Sequence, residues 1–208
     1  MKNCFYFFVL ITLSLCACKK GTGSFVLKGK VTDLTFNTGF EGAEMKIYKV
    51  PIGTTSELLI ETVAIGEDGN YMISFPREKI EKYIIRIIKQ NYFTIEQSIF
   101  YSELSLEEEN VRNFSTEAKS WAAIRIINNP SVGSDHLRFI KQAGYQGCSE
   151  CCPSEEQNYY GALDTTLYCV NKGNTLYSIY YWLVNTNTQG LKEVTTVAFD
   201  TTEIVLTY

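Results

Sequence analysis

From Phe25 onward the chain is dominated by short runs in which apolar and polar side chains alternate residue by residue. A period of two sends successive side chains to opposite faces of an extended strand, so each run can bury one face and wet the other. No stretch of similar strength repeats apolar residues at helical spacing, and the runs are broken by Gly, Asn, Asp and Ser. This pattern predicts an all-β protein. Strands are expected at residues 25–32, 43–50, 58–65, 71–75, 82–89 and 93–100, then at 137–142, 163–170, 176–184, 193–199 and 203–208. In the second of these Ala43, Met45 and Ile47 share one face, with Glu44, Lys46 and Tyr48 on the other. Tyr71, Ile73 and Phe75 are expected to face inward, as are Ile204, Leu206 and Tyr208. Alternation also sets Ala122, Ile124 and Ile126 against Trp121, Ala123 and Arg125.

Two sandwiches in tandem account for this number of strands better than one. The acidic segment 103–110 has no strand period and is expected to be a solvated connection, which divides a first unit at residues 25–112 from a second at 119–208. Glu67-Asp68-Gly69-Asn70 is expected to be a tight turn, because Gly and Asn tolerate the positive φ of a hairpin. In the first unit the segments Gly29-Lys30-Val31-Thr32-Asp33, Glu41-Gly42-Ala43-Glu44-Met45-Lys46-Ile47 and Asp68-Gly69-Asn70-Tyr71-Met72-Ile73 stand out. With Tyr83, Ile85 and the turn at Asn91-Tyr92, they carry a resemblance in glycine and aromatic spacing. On these residues the stretch 25–105 resembles the carboxypeptidase regulatory-like domain, a transthyretin-like β-sandwich common in envelope proteins of Bacteroidota. The resemblance implies a structural or interaction module without catalysis and without a zinc site. The second unit is expected to be a sandwich of immunoglobulin-like or fibronectin-like form.

The N-terminus carries an address. Met1-Lys2-Asn3 is a short positive start, and Cys4 to Leu15 is an almost unbroken apolar run. That layout is expected of a cleavable signal peptide, and the run is too short to span a bilayer as a helix. Leu15-Cys16-Ala17-Cys18 resembles the lipobox of bacterial lipoproteins, which implies a signal peptide at 1–17 and acylation of Cys18. Residues 18–24 then form the lipidated cysteine and a polar linker. The fold class expected is thus all-β, two β-sandwich domains in tandem after a lipoprotein signal peptide. The expected location is the cell envelope, anchored by lipid to the outer membrane.

A formal charge of −4 and the lack of any basic cluster beyond Lys19-Lys20 argue against nucleic-acid binding, which leaves a Lys/Arg footprint. Four cysteines remain beyond the N-terminal segment: Cys148, Cys151, Cys152 and Cys169. An exported chain matures in an oxidising compartment, so two disulfides are expected. The neighbours Cys151 and Cys152 should pair elsewhere, one with Cys148 and the other with Cys169. A thiolate zinc site is the rival reading and is disfavoured by the adjacent ligands and by export.

The single histidine, His136, shares a strand face with Arg138, opposite Leu137 and Phe139, and is expected on the solvent side. There is no Gly-x-Ser-x-Gly elbow to build a triad around it. Tyrosines and tryptophan concentrate in the second half, and Tyr159, Tyr160, Tyr181 and Trp182 are the candidates for ligand contact through ring stacking. No catalytic residue, metal or cofactor is expected. The function expected is a non-enzymatic envelope module for binding or assembly, its partner an envelope protein or a glycan, with carbohydrate binding through these aromatics as the alternative.

Overall fold

The computed structural model describes residues 23–184 and 186–208, and the signal segment and Cys18 lie outside the described residues. The described chain is all β apart from one turn of 3-10 helix at Tyr101–Glu103. Its strands are β1 (Ser24–Asp33), β2 (Thr38–Gly39), β3 (Glu44–Val50), β4 (Leu58–Ala64), β5 (Asn70–Pro76), β6 (Lys82–Ile88) and β7 (Ile95–Phe100). There follow β8 (Asn110–Val111), β9 (Phe114–Thr116), β10 (Lys119–Asn128), β11 (His136–Ala143) and β12 (Gln157–Tyr160). The last four are β13 (Leu163–Lys172), β14 (Thr175–Leu183), β15 (Gln189–Thr196) and β16 (Thr201–Thr207).

These strands make two sandwiches. In the first, β1 pairs with β5 and β2 on one side and with β8 and β9 on the other, and this sheet faces a second of order β4-β3-β6-β7. Between them Phe25, Leu27, Tyr71, Ile73 and Phe75 meet Met45, Ile47, Tyr83, Ile85, Ile87 and Ile99 in one core. In the second, the sheet β13-β10-β16 faces the sheet β12-β11-β14-β15. Ala122, Ile124, Ile126, Ile204 and Leu206 there meet Leu137, Phe139, Tyr177 and Ile179. The alternation of Ala43, Met45 and Ile47 against Glu44 lies as expected, with the three apolar side chains fully buried.

Three local expectations need correction. The 67–70 turn is tight, and Gly69 has φ +82°, but it is not a hairpin. It carries the chain from β4 in one sheet to β5 in the other, with Asp68 Oδ1 accepting from Asn70 N at 2.9 Å. Between residues 110 and 116, where no strand is expected, the chain forms β8 and β9, which pair parallel to β1. Such two- and three-residue pairings are too short for periodicity to reveal. The strand expected at 193–199 lies at Gln189–Thr196, because residues 197–200 turn sharply through Phe199 at φ 67°.

That turn belongs to the joint between the sandwiches. β9 runs parallel to β1 and passes through Glu117 and Ala118 into β10. At the crossing, Lys119 N donates to Asn91 O (2.7 Å), Gly173 N to Ala118 O (2.8 Å) and Phe199 N to Lys119 O (2.8 Å). The Phe199 ring stacks on Phe36 at 5.7 Å and meets Tyr92 edge-on at 5.2 Å. Phe93 lies 4.4 Å from Tyr145, and Lys172 pairs with Glu117 at 2.6 Å. Ser24 sits at the end of β1 away from this joint, and His136 begins β11 at the end of the second sandwich away from it.

Candidate functional site

The four cysteines among the described residues are all spent on structure. Cys148 bonds Cys151, and Cys152 bonds Cys169, with Cα–Cα distances of 5.2 and 5.1 Å. None is therefore a free thiolate for a metal, and among the described residues no three of His, Cys, Asp and Glu converge to hold one. The loop they close wraps the buried Lys141. Its ammonium donates to the carbonyls of Tyr145 (3.0 Å), Cys151 (2.9 Å) and Cys152 (2.9 Å). Burial holds its pKa below the ordinary lysine value. Three carbonyls satisfy its donors, so it works as a clamp on the loop, and Glu150 of that loop reaches Lys119 at 3.4 Å.

The outer face of the sheet β12-β11-β14-β15 is different. Register places Tyr160 opposite His136, and Asn158 opposite Arg138. It then sets Arg138 opposite Trp182, and Ile140 opposite Tyr180. Beyond them on β15 stand Gln189 and Leu191. The Tyr160 ring stacks on His136 at 4.1 Å, 21° from parallel, and His136 Nε2 donates to Asn158 Oδ1 at 2.7 Å. Arg138 lies over Trp182, its guanidinium carbon 4.6 Å from the ring centroid, and Trp182 is 5.8 Å from Tyr180. A row of rings and one guanidinium thus crosses three strands, with Tyr180 tilted 43° from the Trp182 plane. Cross-strand aromatic pairs of this kind contribute roughly 0.2–1 kcal/mol each.

The row is held from behind. Arg138 Nε donates to Glu156 Oε1 at 2.7 Å while Nη2 engages Oε2, a two-point pair that fixes the guanidinium plane. The same hydrogen bonds hold the Glu156 carboxyl below the usual carboxylate range. Asp135 accepts from Val132 N (2.5 Å) and Asn128 Nδ2 (3.0 Å), closing the turn that delivers His136 and lowering its own pKa. Beside the Arg138–Trp182 stack a cleft of about 440 Å³ opens, rimmed by Thr186, Thr188 and Gln189. Among the described residues the His136 ring hydrogen-bonds Asn158 and stacks on Tyr160.

Of the four aromatic candidates, Tyr160 and Trp182 share this face. Tyr159 and Tyr181 do not: both sit on the opposite pleat and pack against the second core, where burial raises the Tyr159 hydroxyl pKa. Neighbours in sequence cannot share a strand face, so each Tyr-Tyr or Tyr-Trp pair contributes one ring to each side. His136, Arg138 and Tyr180 take the vacated places. Residue parity assigns His136 and Arg138 to the solvent face, but nothing local in the sequence pairs them with Tyr160 and Trp182, which lie 24 and 44 positions away respectively.

No known protein family matches the chain, nor does any curated protein sequence. Among solved structures it is similar to the shaft pilin SpaA from Lactobacillus rhamnosus GG at 7% identity, over 90% of this chain and 98% of that one, with a TM-score of 0.33. The minor pilin GBS52 from Streptococcus agalactiae is 8% identical over 88% of this chain and 94% of that one, TM-score 0.35. The 3-chlorocatechol 1,2-dioxygenase from Rhodococcus opacus 1CP is 8% identical over 46% of this chain and 60% of that one, TM-score 0.33. At these TM-scores the likenesses assign neither family nor function.

Proposed function

We propose that the chain is a non-catalytic cell-envelope lipoprotein, tethered through Cys18, that holds an envelope partner on the outer face of the β12-β11-β14-β15 sheet. The observation that carries this reading is the preorganised row Tyr160–His136–Arg138–Trp182–Tyr180 beside an open cleft. Rings fixed by ion pairs and turns lose little freedom on binding, which favours affinity. The placement supports it too. The row lies at the end of the second sandwich remote from the joint, and Ser24, where the tether enters, lies at the remote end of the first. Two ten-residue strands, β1 and β10, separate them, each about 30 Å long.

The test separates anchor from face. Cys18→Ser should move the protein from the detergent phase into the aqueous phase, and retention in detergent would remove the tether from the reading. The soluble Cys18→Ser protein should still co-sediment with isolated envelopes through its face. Adding Tyr160→Ala and Trp182→Ala should abolish that co-sedimentation, and equal sedimentation of the two forms would refute the assignment of the face.

A further inference from the structure

We infer that the partner held on this face is an uncharged saccharide; the inference rests on the binding-face reading above and adds its chemical class. The argument is one of charge and surface type. The face has one arginine, and Arg138 is already neutralised by the two-point pair with Glu156. An anionic ligand would have to displace Glu156 to reach it. Glu193, which follows Leu191 on the same pleat of β15, is exposed and repels anions further. Nucleotides, phosphorylated groups and acidic sugars therefore find no free cation among the described residues here, while the indole, the phenols, Ile140 and Leu191 form a largely apolar floor.

A purely apolar partner fits poorly as well. The cleft rim carries hydroxyl and amide groups, Thr186, Thr188 and Gln189, and Asn158 lies along the same face opposite Arg138. Each is a neutral group that both accepts and donates hydrogen bonds. An aromatic and aliphatic floor bordered by neutral hydroxyls and amides matches a pyranose ring, which offers a face of C–H groups and an equator of hydroxyls. Thr186 and Asn158 already have partners within the protein, and an apolar peptide covering the rim would take the Thr188 hydroxyl and the Gln189 amide out of water without pairing them.

The soluble Cys18→Ser protein on an array of neutral and acidic oligosaccharides tests this directly. Binding to neutral members is expected, weakened about 30-fold by Trp182→Ala, as for a central interface tryptophan. Gln189→Ala should weaken it several-fold without disturbing the sheet. Tyr168→Ala, an exposed ring on the opposite sheet, should leave it unchanged. Circular dichroism confirms that Trp182→Ala folds, and Gln189→Ala carries the test if it does not. Binding confined to acidic oligosaccharides, no binding to any neutral one, or binding indifferent to both substitutions would overturn the saccharide. If envelope co-sedimentation still depends on Tyr160 and Trp182 while every oligosaccharide fails, the face stands and its ligand is a protein.

Discussion

Gly29 is the position where the chain has least room. A Cβ built there would sit 1.8 Å from the carbonyl oxygen of Arg112 and 2.7 Å from its carbon. The obstruction is backbone and cannot swing aside as a side-chain tip could. Gly29→Ala must therefore push β1 away from the segment between β8 and β9. Three hydrogen bonds tie that crossing: Arg112 N to Lys28 O at 2.9 Å, Lys30 N to Asn113 Oδ1 at 2.9 Å and Tyr71 Oη to Arg112 O at 2.7 Å. At about 1 kcal/mol each, offset by the roughly 0.4–1 kcal/mol that Gly→Ala gains by stiffening the unfolded chain, the net loss is about 2–3 kcal/mol. For a protein of this size that lowers the Tm by roughly 4–12 °C. Thermal and urea unfolding by far-UV circular dichroism measures it. Gly133→Ala is the control, since nothing lies within 4 Å of a Cβ there, and it should be neutral or slightly stabilising. A Gly29→Ala protein as stable as the Gly133→Ala protein would refute the steric argument.

Other expectations follow from the same geometry. Replacing Cys152 and Cys169 by serine opens a bridge of sequence separation 17 and should cost about 3 kcal/mol, against about 2 kcal/mol for Cys148 and Cys151 at separation 3. Alkylation of the unfolded, unreduced protein should label none of the four, and labelling of all four would remove the bridges. Glu156 titrates below its ordinary 4.5 because Arg138 binds the carboxylate. Its contribution to order on the face is present above the ordinary range and is lost as pH falls through the lowered value. Trp182 emission in a Trp121→Phe background should change over that acid range, and Glu156→Gln should show the acid spectrum at neutral pH. At the joint, Phe36→Ala and Phe199→Ala in a double-mutant cycle should couple by about 0.5–1.5 kcal/mol; additive effects would mean the stack contributes nothing.

Strands with a strong period were legible because alternation is a local property. Ala43, Met45 and Ile47, and Tyr71, Ile73 and Phe75, announce their buried face within a few residues, and all six are buried. β8, β9 and β12 were not legible, since two to four residues carry no measurable period and their pairing depends on partners up to 83 positions away. Parity has the same limit on the candidate face. It puts Trp182 and Tyr180 on one pleat and Tyr181 on the other, but which pleat faces water is decided by the second core. Gly29 and Gly69 were visible as glycines, and their reason was not. Gly29 gives way to Arg112 and Gly69 to the Val31 carbonyl, 2.2 Å from where its Cβ would lie, and both are contacts between segments far apart in sequence.

The joint decides how the face is presented. A flexible hinge of glycine or serine would let the second sandwich fold back on the first. Here only Glu117 and Ala118 separate β9 from β10, and both are held: Lys172 pairs with Glu117, while Ala118 is fully buried and accepts from Gly173 N. Phe199 closes one side against Phe36 and Tyr92, and the cysteine loop closes another, with Tyr145 on Phe93 and Glu150 on Lys119. The buried clamp of Lys141 and the Cys152–Cys169 bridge keep that loop in place from within the second sandwich. The disulfides and the candidate face are therefore parts of one arrangement, in which the first stiffens the joint and the joint holds the second away from Ser24 at the far end of the first sandwich.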